Sequence, residues 1–222
     1  MFFDYPKQAK FGRKIPKSTI YENASVNAKL KEKFVNQIDK IIWQYKLAPT
    51  TLNLQATENV PEIQIFDVYL KTKEIDHALF EVIDKAINFP IIFQIYQESS
   101  VKIKAAYKRP SNADQNKWVT ETYFESEWLD QATQKQPLPI ALDLGKLYEQ
   151  LLKSLMPAEV KSHKTSSTLD QQVTRVNDIY ALQKEIEKLN SKYKKEKQRN
   201  RQFDINKQIK LKQKELDSLK AQ

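Results

Sequence analysis

The stretch EIQIFDVYLK (62–71) decides the architecture of the first half of the chain. It is rich in β-branched and aromatic residues, and its apolar side chains occupy both alternating sets of positions. A strand with two apolar faces is covered on both sides and lies inside a sheet. We therefore expect residues 62–71 to form a central strand.

The segments that follow predict a mixed sheet with packed helices. Residues 74–88 have helical spacing and lead into PIIFQIYQ (90–97), a second buried strand. A strand, a helix and a strand at this spacing favour a parallel pair with a right-handed crossover. VKIKAAYKR (101–109) and KWVTETYFES (117–126) predict a hairpin, and residues 138–157 predict an amphipathic helix that ends at Pro157.

The segment before this sheet predicts a helix. In NASVNAKLKEKFVNQIDKIIWQYKLAP (23–49), apolar residues recur three and four positions apart, with charges between them, until Pro49 ends the pattern. This spacing is typical of a long amphipathic helix. The expected class is therefore α+β.

Length and composition bound the kind of protein. The chain has 222 residues, which suits one globular core with an appendage. It contains no cysteine, only two histidines, and only Gly12 and Gly145 as glycines. These counts argue against thiolate or histidine metal sites, phosphate-cradling loops and dinucleotide folds, so we expect no metal and no cofactor. No apolar run suits a membrane span or a signal peptide, which favours a cytoplasmic protein.

The positive charge is concentrated in the last quarter of the chain. Residues 1–160 contain 21 Lys and Arg against 20 Asp and Glu, a net charge of +1, whereas residues 161–222 contain 16 against 8, a net charge of +8. We expect a globular α+β domain at 1–157, a linker at 158–168, and a basic coiled-coil extension at 169–222. An acidic partner would bind the extension.

The extension is predicted to be helical. TLDQ (168–171) fits a capping box, and the chain beyond it contains neither Gly nor Pro. Two heptad seams follow, in different phases: Leu182, Ile186, Leu189 and Tyr193, then Ile205, Ile209, Leu216 and Leu219. We favour one continuous helix or a self-associating coiled coil. The alternative is a helical hairpin that reverses near 198–202, with Asn200 in a left-handed turn position.

A basic segment separates the two seams. Between residues 192 and 201 one acid, Glu196, accompanies six cations: Lys192, Lys194, Lys195, Lys197, Arg199 and Arg201. A lysine-rich run on a helix is commonly a solvated face. Because local pairs leave this density largely unneutralised, we predict that the segment binds phosphate or an acidic protein surface.

A second lysine stripe lies in the predicted hairpin. Lys102, Lys104 and Lys108 share one face of a strand and could follow a phosphate backbone. The favoured alternative places Glu121 and Glu125 of the partner strand opposite them.

A metal-dependent nuclease is the enzymatic alternative. Nucleases of the restriction type place carboxylates and a lysine or glutamine on a central strand, and Glu62, Gln64, Asp67 and Lys71 fit that pattern loosely. We favour structural roles for these residues and no catalytic residue. Asp67 is the least easily dismissed, since it lies inside an apolar strand.

Several motifs together resemble a known family. They are FGRKIPKSTIYENA (11–24), FVNQIDKIIWQYKLAPTTLNL (34–54), VPEIQIFDVYLK (60–71), AINFPIIFQI (86–95), AAYKRP (105–110) and residues 182–216. The chain resembles an uncharacterised bacterial family known as a domain of unknown function. The resemblance implies a gene neighbourhood of DNA methyltransferases and helicases in restriction-modification or phage-defence loci.

These inferences lead to one functional hypothesis. We expect a non-catalytic accessory subunit of a DNA-targeting complex that docks a helicase or DNA methyltransferase subunit and contributes nucleic-acid affinity through its basic tail. The tail would also allow self-association. The alternatives are the nuclease and a protein-only coiled-coil scaffold.

Overall fold

The computed structural model describes residues 2–111, 113–114, 117–157 and 168–221. The predicted linker at 158–168 lies outside the described residues except for Thr168. Contacts divide the chain into two compact units, Met1–Met156 and Pro157–Gln222.

The first unit is built on a mixed sheet of seven strands among the described residues. Its strands are β2 (Lys10–Ile15), β3 (Ile38–Leu47), β4 (Ile63–Leu70), β5 (Ile91–Gln97), β6 (Ser100–Pro110) and β7 (Trp118–Glu125), in that spatial order, with β8 (Leu129–Asp130) paired to β6. Two short strands, β1 (Phe3–Asp4) and β9 (Gln136–Pro137), pair separately in parallel. The α+β prediction is confirmed.

Strand β4 lies inside the sheet, as its two apolar faces predict. It pairs antiparallel with β3 and parallel with β5. The predicted parallel pair with a crossover helix is therefore confirmed, and so is the antiparallel hairpin of β6 and β7. All six residues from Ile63 to Val68 are buried.

Five helices accompany the sheet in the described part of this unit. They are α1 (Lys17–Asn23), α2 (Ala28–Gln37), α3 (Pro49–Leu52), α4 (His77–Ala86) and α5 (Leu144–Leu155), with one 3-10 turn at Lys7–Ala9. Short polar side chains cap three of them. Asn27, Asp76 and Asp143 accept backbone N–H bonds of 2.9, 2.9 and 2.7 Å at the starts of α2, α4 and α5.

The predicted helix at 23–49 is wrong in its second half. Helix α2 ends at Gln37, and residues 38–47 form strand β3. The register of β3 shifts between Ile38 and Lys40 and again between Trp43 and Tyr45, each time with one extra residue in β3. Because each bulge adds one residue to β3, the residues that face the core on either side of it are three positions apart instead of two. A three-residue spacing of apolar side chains is also the spacing that predicts a helix.

The two faces of the sheet pack differently. Phe66 and Val68 of β4 face the side covered by α1, α2 and α4, where a core forms around Phe34 and Phe80. We call this side the helix face. Because side chains alternate along a strand, Ile63, Ile65, Asp67 and Tyr69 point to the opposite face.

Helix α5 packs against β6 and β7. Its buried Tyr148 hydroxyl donates to the carbonyl of Ala106 at 2.5 Å and accepts from the backbone N–H of Lys108 at 3.0 Å. The strand pairing of β6 shifts between these two residues. The hydroxyl thus provides partners for backbone groups at the bulge, which would be costly to bury unpaired.

The second unit is a helical hairpin. Helix α6 (Leu169–Lys195) begins with the predicted capping box, in which Thr168 and Gln171 exchange hydrogen bonds. Helix α7 (Arg199–Lys220) runs back along α6. The evidence is that the side chain of Arg175, in the first half of α6, donates hydrogen bonds to the carbonyls of Leu219 and Lys220 at the end of α7. The contact between the two helices continues at Lys212 and Glu185, 3.0 Å apart.

The favoured continuous helix is therefore wrong, and the hairpin alternative is confirmed. The chain reverses at residues 196–198, slightly earlier than predicted. Glu196 and Gln198 adopt extended backbone conformations, whereas Asn200 belongs to α7. No left-handed residue is needed, since two extended residues suffice to turn the chain. Within the described residues, no helix has the length and apolar character needed to cross a membrane.

Candidate functional site

The turn between α6 and α7 gathers the six cations singled out in the sequence. Lys192, Lys194 and Lys195 belong to the last turn of α6, Lys197 lies in the connection, and Arg199 and Arg201 open α7. All six side chains are exposed. We call this set the basic turn. The hairpin places the cations of both helices at one end of the unit.

The acid within the basic turn is already engaged. Glu196 Oε1 accepts the backbone N–H groups of Lys197 and Gln198, each at 2.9 Å. These amide bonds, with help from Arg201, hold the pKa of Glu196 below its ordinary value. Glu196 therefore acts as a cap for the free N–H groups ahead of α7. Among the described residues, none of the six cations forms an ion pair.

One lysine farther along the hairpin has two carboxylate partners. Lys212 lies 3.0 Å from Glu185 and 3.5 Å from Glu215. Gln213 donates to Asp217 at 3.0 Å. Most of the positive charge lies in the turn: residues 192–201 carry a net charge of +5, against −1 for residues 169–191 and +2 for residues 202–220.

The two heptad seams lie mostly at low exposure. Leu182, Ile186 and Leu216 are buried, and Leu189, Ile205, Ile209 and Leu219 are partly buried, whereas Tyr193 is 37% exposed. This is the pattern expected when two seams face each other within one hairpin. The structure thus gives the seams an intramolecular use. Self-association stays a prediction.

The lysine stripe on β6 has carboxylate partners. Lys102 and Lys104 lie 3.0 and 2.6 Å from the two oxygens of Glu125. Glu121 pairs instead with Arg109, at 2.7 Å. Partial burial acts to raise the pKa of Glu125, but the two lysines hold it below its ordinary value. For these two lysines, the structure therefore shows the alternative in which a glutamate of the neighbouring strand neutralises the stripe.

Lys108 is buried, with 1% of its surface exposed. Its ammonium group donates to the carbonyls of Asp84 and Ile87 at the end of α4 and lies 3.4 Å from the Asp84 carboxylate. Desolvation lowers the pKa of Lys108, and Asp84 acts against that change. The sequence prediction of a phosphate contact does not suit this side chain, which caps α4 from the interior.

Glu62 and Gln64 line a cavity on the helix face. Gln64 Nε2 donates to Glu62 Oε1 at 2.6 Å, and Lys46 of β3 lies 2.7 Å from Glu62 Oε2. The cavity has a volume of about 840 Å³. Lys46 was not singled out from the sequence, because its place opposite Gln64 depends on the bulges of β3.

The other two residues of the nuclease hypothesis lie elsewhere. Asp67 points to the opposite face of the sheet, where it is 2% exposed and accepts from Gln94 Nε2 at 2.6 Å. Lys71 donates to the carbonyl of Val35. The structure therefore does not bring Glu62, Gln64, Asp67 and Lys71 together. In the described part of the chain, no group of three or more His, Cys, Asp or Glu is placed to hold a metal ion.

Asp67 has an unusual environment. Burial raises its pKa to about 6, against the effect of the Gln94 hydrogen bond and of Lys135. Burial raises the pKa values of Tyr5, Tyr45 and Tyr96, and the charge of Asp67 raises them further. The carboxyl is a buried titratable group with an amide partner.

The chain has the architecture of an α+β domain that continues into a helical hairpin, and it carries two surfaces of interest, the basic turn and the Glu62 cavity. Residues 3–216 match the model of the family described as a domain of unknown function (DUF4391). The chain belongs to this family. No curated protein and no solved structure matches it.

Proposed function

We propose that the protein is a non-catalytic accessory subunit of a bacterial DNA-targeting defence or modification complex. In this proposal the basic turn contributes affinity for nucleic acid. The globular unit docks the partner subunit, a helicase or a DNA methyltransferase. The gene neighbourhood that the family resemblance implies supports the choice of partner.

The basic turn is the observation that carries the proposal. Six exposed cations that lack ion pairs among the described residues repel one another, and an anion would relieve that repulsion. A row of phosphates supplies such an anion at regular spacing, and release of its counterions drives binding. Because both helices of the hairpin are already formed, the backbone that carries the cations need not be ordered on binding, which lowers the entropic cost of association.

Exposed apolar residues in the first unit support the docking part of the proposal. Ile140 and Leu142, in the segment before α5, are 96% and 88% exposed. Exposed large apolar side chains that occur together mark surfaces that bind another protein, and only Ala141 separates these two in the sequence. Ile140→Ser with Leu142→Ser is expected to abolish co-purification with the partner subunit and to leave DNA affinity unchanged.

The DNA-binding part can be tested with two variants of equal charge. Lys194, Lys195 and Lys197 lie in the basic turn, whereas Lys207, Lys210 and Lys214 are exposed lysines on α7 beyond it. Replacing either set by Gln removes three charges and keeps helix propensity. We expect the first variant to bind a duplex at least tenfold more weakly than the second in fluorescence anisotropy. Equal losses would show that net charge acts without a local site.

The cavity at Glu62 supports a second candidate, a metal-dependent nuclease. A carboxylate and an amide at a cavity wall could contribute to a magnesium site. The absence of further acids beside them in the described residues favours the first proposal. Glu62→Ala is expected to leave DNA affinity and any magnesium-dependent cleavage by the complex intact. Loss of magnesium-dependent cleavage in a folded variant would replace the accessory role by the nuclease.

A further inference from the structure

The cavity on the helix face has the size and shape of a ligand site. It lies between β2, β3 and β4, helix α1 and the segment after α4, and its volume is about 840 Å³. Cavities that hold small molecules typically measure 300–1,000 Å³ and combine apolar walls with a few convergent polar groups. The described residues around this cavity divide into three chemical sets.

The polar floor consists of Glu62 and Gln64, which are 9% and 3% exposed. The salt bridge from Lys46 and the Gln64 amide hold the Glu62 carboxylate in place. In the described part of the chain, the Gln64 side chain has no hydrogen-bond partner other than Glu62. Its carbonyl oxygen and its second N–H remain available to a ligand, as do further lone pairs of Glu62.

Aromatic side chains form part of the walls. Trp43 and Phe66 line the cavity with ring centroids 6.2 Å apart, and Phe89 lines it from the segment after α4. Trp43 is partly exposed, so one part of its indole is open to a ligand. Such rings bind flat heterocycles by stacking.

Cations outnumber acids at this cavity. Arg13 and Lys46 line it with their side chains, against the carboxylate of Glu62. Lys14 pairs with Ile42 and points to the opposite face of the sheet. Arg13 is exposed and forms no ion pair with any residue that the structure describes. Since Lys46 is engaged by Glu62, Arg13 remains as the binding group for an anionic part of the ligand.

We propose that this cavity binds an adenine nucleotide. The Gln64 carbonyl accepts from the exocyclic amino group of adenine while its second N–H donates to the ring N7, the pair of bonds that an amide side chain makes with this base. Guanine is rejected, because its O6 would face the carbonyl oxygen of Gln64, whose orientation is fixed by the bond from Nε2 to Glu62. The base stacks on Trp43, and Arg13 contacts the phosphate.

This proposal does not depend on the basic turn. The adenine nucleotide can be free or can be an unpaired residue of a nucleic-acid strand, and both present the same base edge and phosphate. The two sources are separated by titrating the full chain with AMP and, in a variant with all six basic-turn cations replaced by Gln, with a single-stranded oligonucleotide that contains adenine. Binding of either ligand supports the site and identifies its source.

The fluorescence of Trp43 reports ligand binding. With Trp118→Phe and Trp128→Phe in the background, the remaining indole lies at the cavity. We expect saturable quenching by AMP, with half-saturation for GMP at a concentration at least tenfold higher. Gln64→Met should abolish that preference. Gln94→Met, the same change at a buried glutamine on the opposite face, should retain it.

Substitutions at exposed positions test the site with little risk of unfolding the protein. Arg13→Gln should weaken AMP binding at least fivefold and leave adenosine binding unchanged, whereas Lys10→Gln, also on β2, should change neither. The proposal is overturned if neither AMP nor the oligonucleotide quenches Trp43. Equal responses to AMP and GMP, or a Gln64→Met variant that keeps the wild-type preference, would also overturn it.

Discussion

Asp67→Asn is expected to stabilise the first unit at neutral pH. The carboxyl is 2% exposed, and the neutral amide of Gln94 donates one hydrogen bond of 2.6 Å to it. A buried charge with so little compensation costs free energy. Asparagine has the same shape, can accept the same bond and carries no charge.

The size of the effect follows from the pKa. Burial raises the pKa of Asp67 from 3.8 to about 6, and one pH unit corresponds to about 1.4 kcal/mol, so ionisation in the folded state costs ~3 kcal/mol. Since the folded pKa is the higher one, the folded protein binds the proton more tightly. The contribution of Asp67 to the free energy of unfolding is therefore greatest below pH 4 and decreases as the pH rises to 6. In the Asp67→Asn variant this decrease does not occur.

Tryptophan fluorescence in urea measures this directly. Trp43, Trp118 and Trp128 all belong to the first unit, so the signal reports on that unit alone. The variant should exceed the wild type by about 2–3 kcal/mol in free energy of unfolding at pH 7.5, and by almost nothing at pH 4. A neutral or destabilising effect at pH 7.5, or a difference independent of pH, would refute the reasoning.

Two further outcomes follow from the fold. Lys108→Met should destabilise the first unit by about 3–5 kcal/mol, because it leaves the buried Asp84 carboxylate without its cation; a loss below 1 kcal/mol in the same urea assay would contradict the role given to this pair. A chain that ends at Pro157 should keep the urea midpoint of the tryptophan signal and lose DNA affinity; an unfolded product would show that the first unit requires the hairpin.

Sequence reasoning succeeded where side-chain pattern and local structure agree. Residues 62–71 have two apolar faces, and β4 lies inside the sheet; the capping box at Thr168 forms as predicted. It failed at residues 38–47, because two bulges turn the alternation of a strand into apparent helical spacing. Intrinsic propensity favoured the strand there, since the segment IIWQY is β-branched and aromatic.

The sites were only partly visible in the sequence. The basic turn was predicted as a charged segment, but its position at the end of a hairpin depends on extended backbone at residues 196–198, for which no Gly or Pro gives a signal. Spacing grouped Glu62 with Asp67, although five positions along a strand place them on opposite faces. The pairing of Lys108 with Asp84 joins β6 to α4 and has no local signature.

The most direct test of the central claim is the salt dependence of duplex binding by the basic turn. If its six cations contact phosphates, the logarithm of affinity falls linearly with the logarithm of salt concentration, by about 0.9 for each contact. Replacing all six by Gln should reduce that slope by about 5, equally for every duplex sequence, while circular dichroism shows the helices retained. An unchanged slope in the folded variant would contradict the claim and leave the hairpin without a role in nucleic-acid binding.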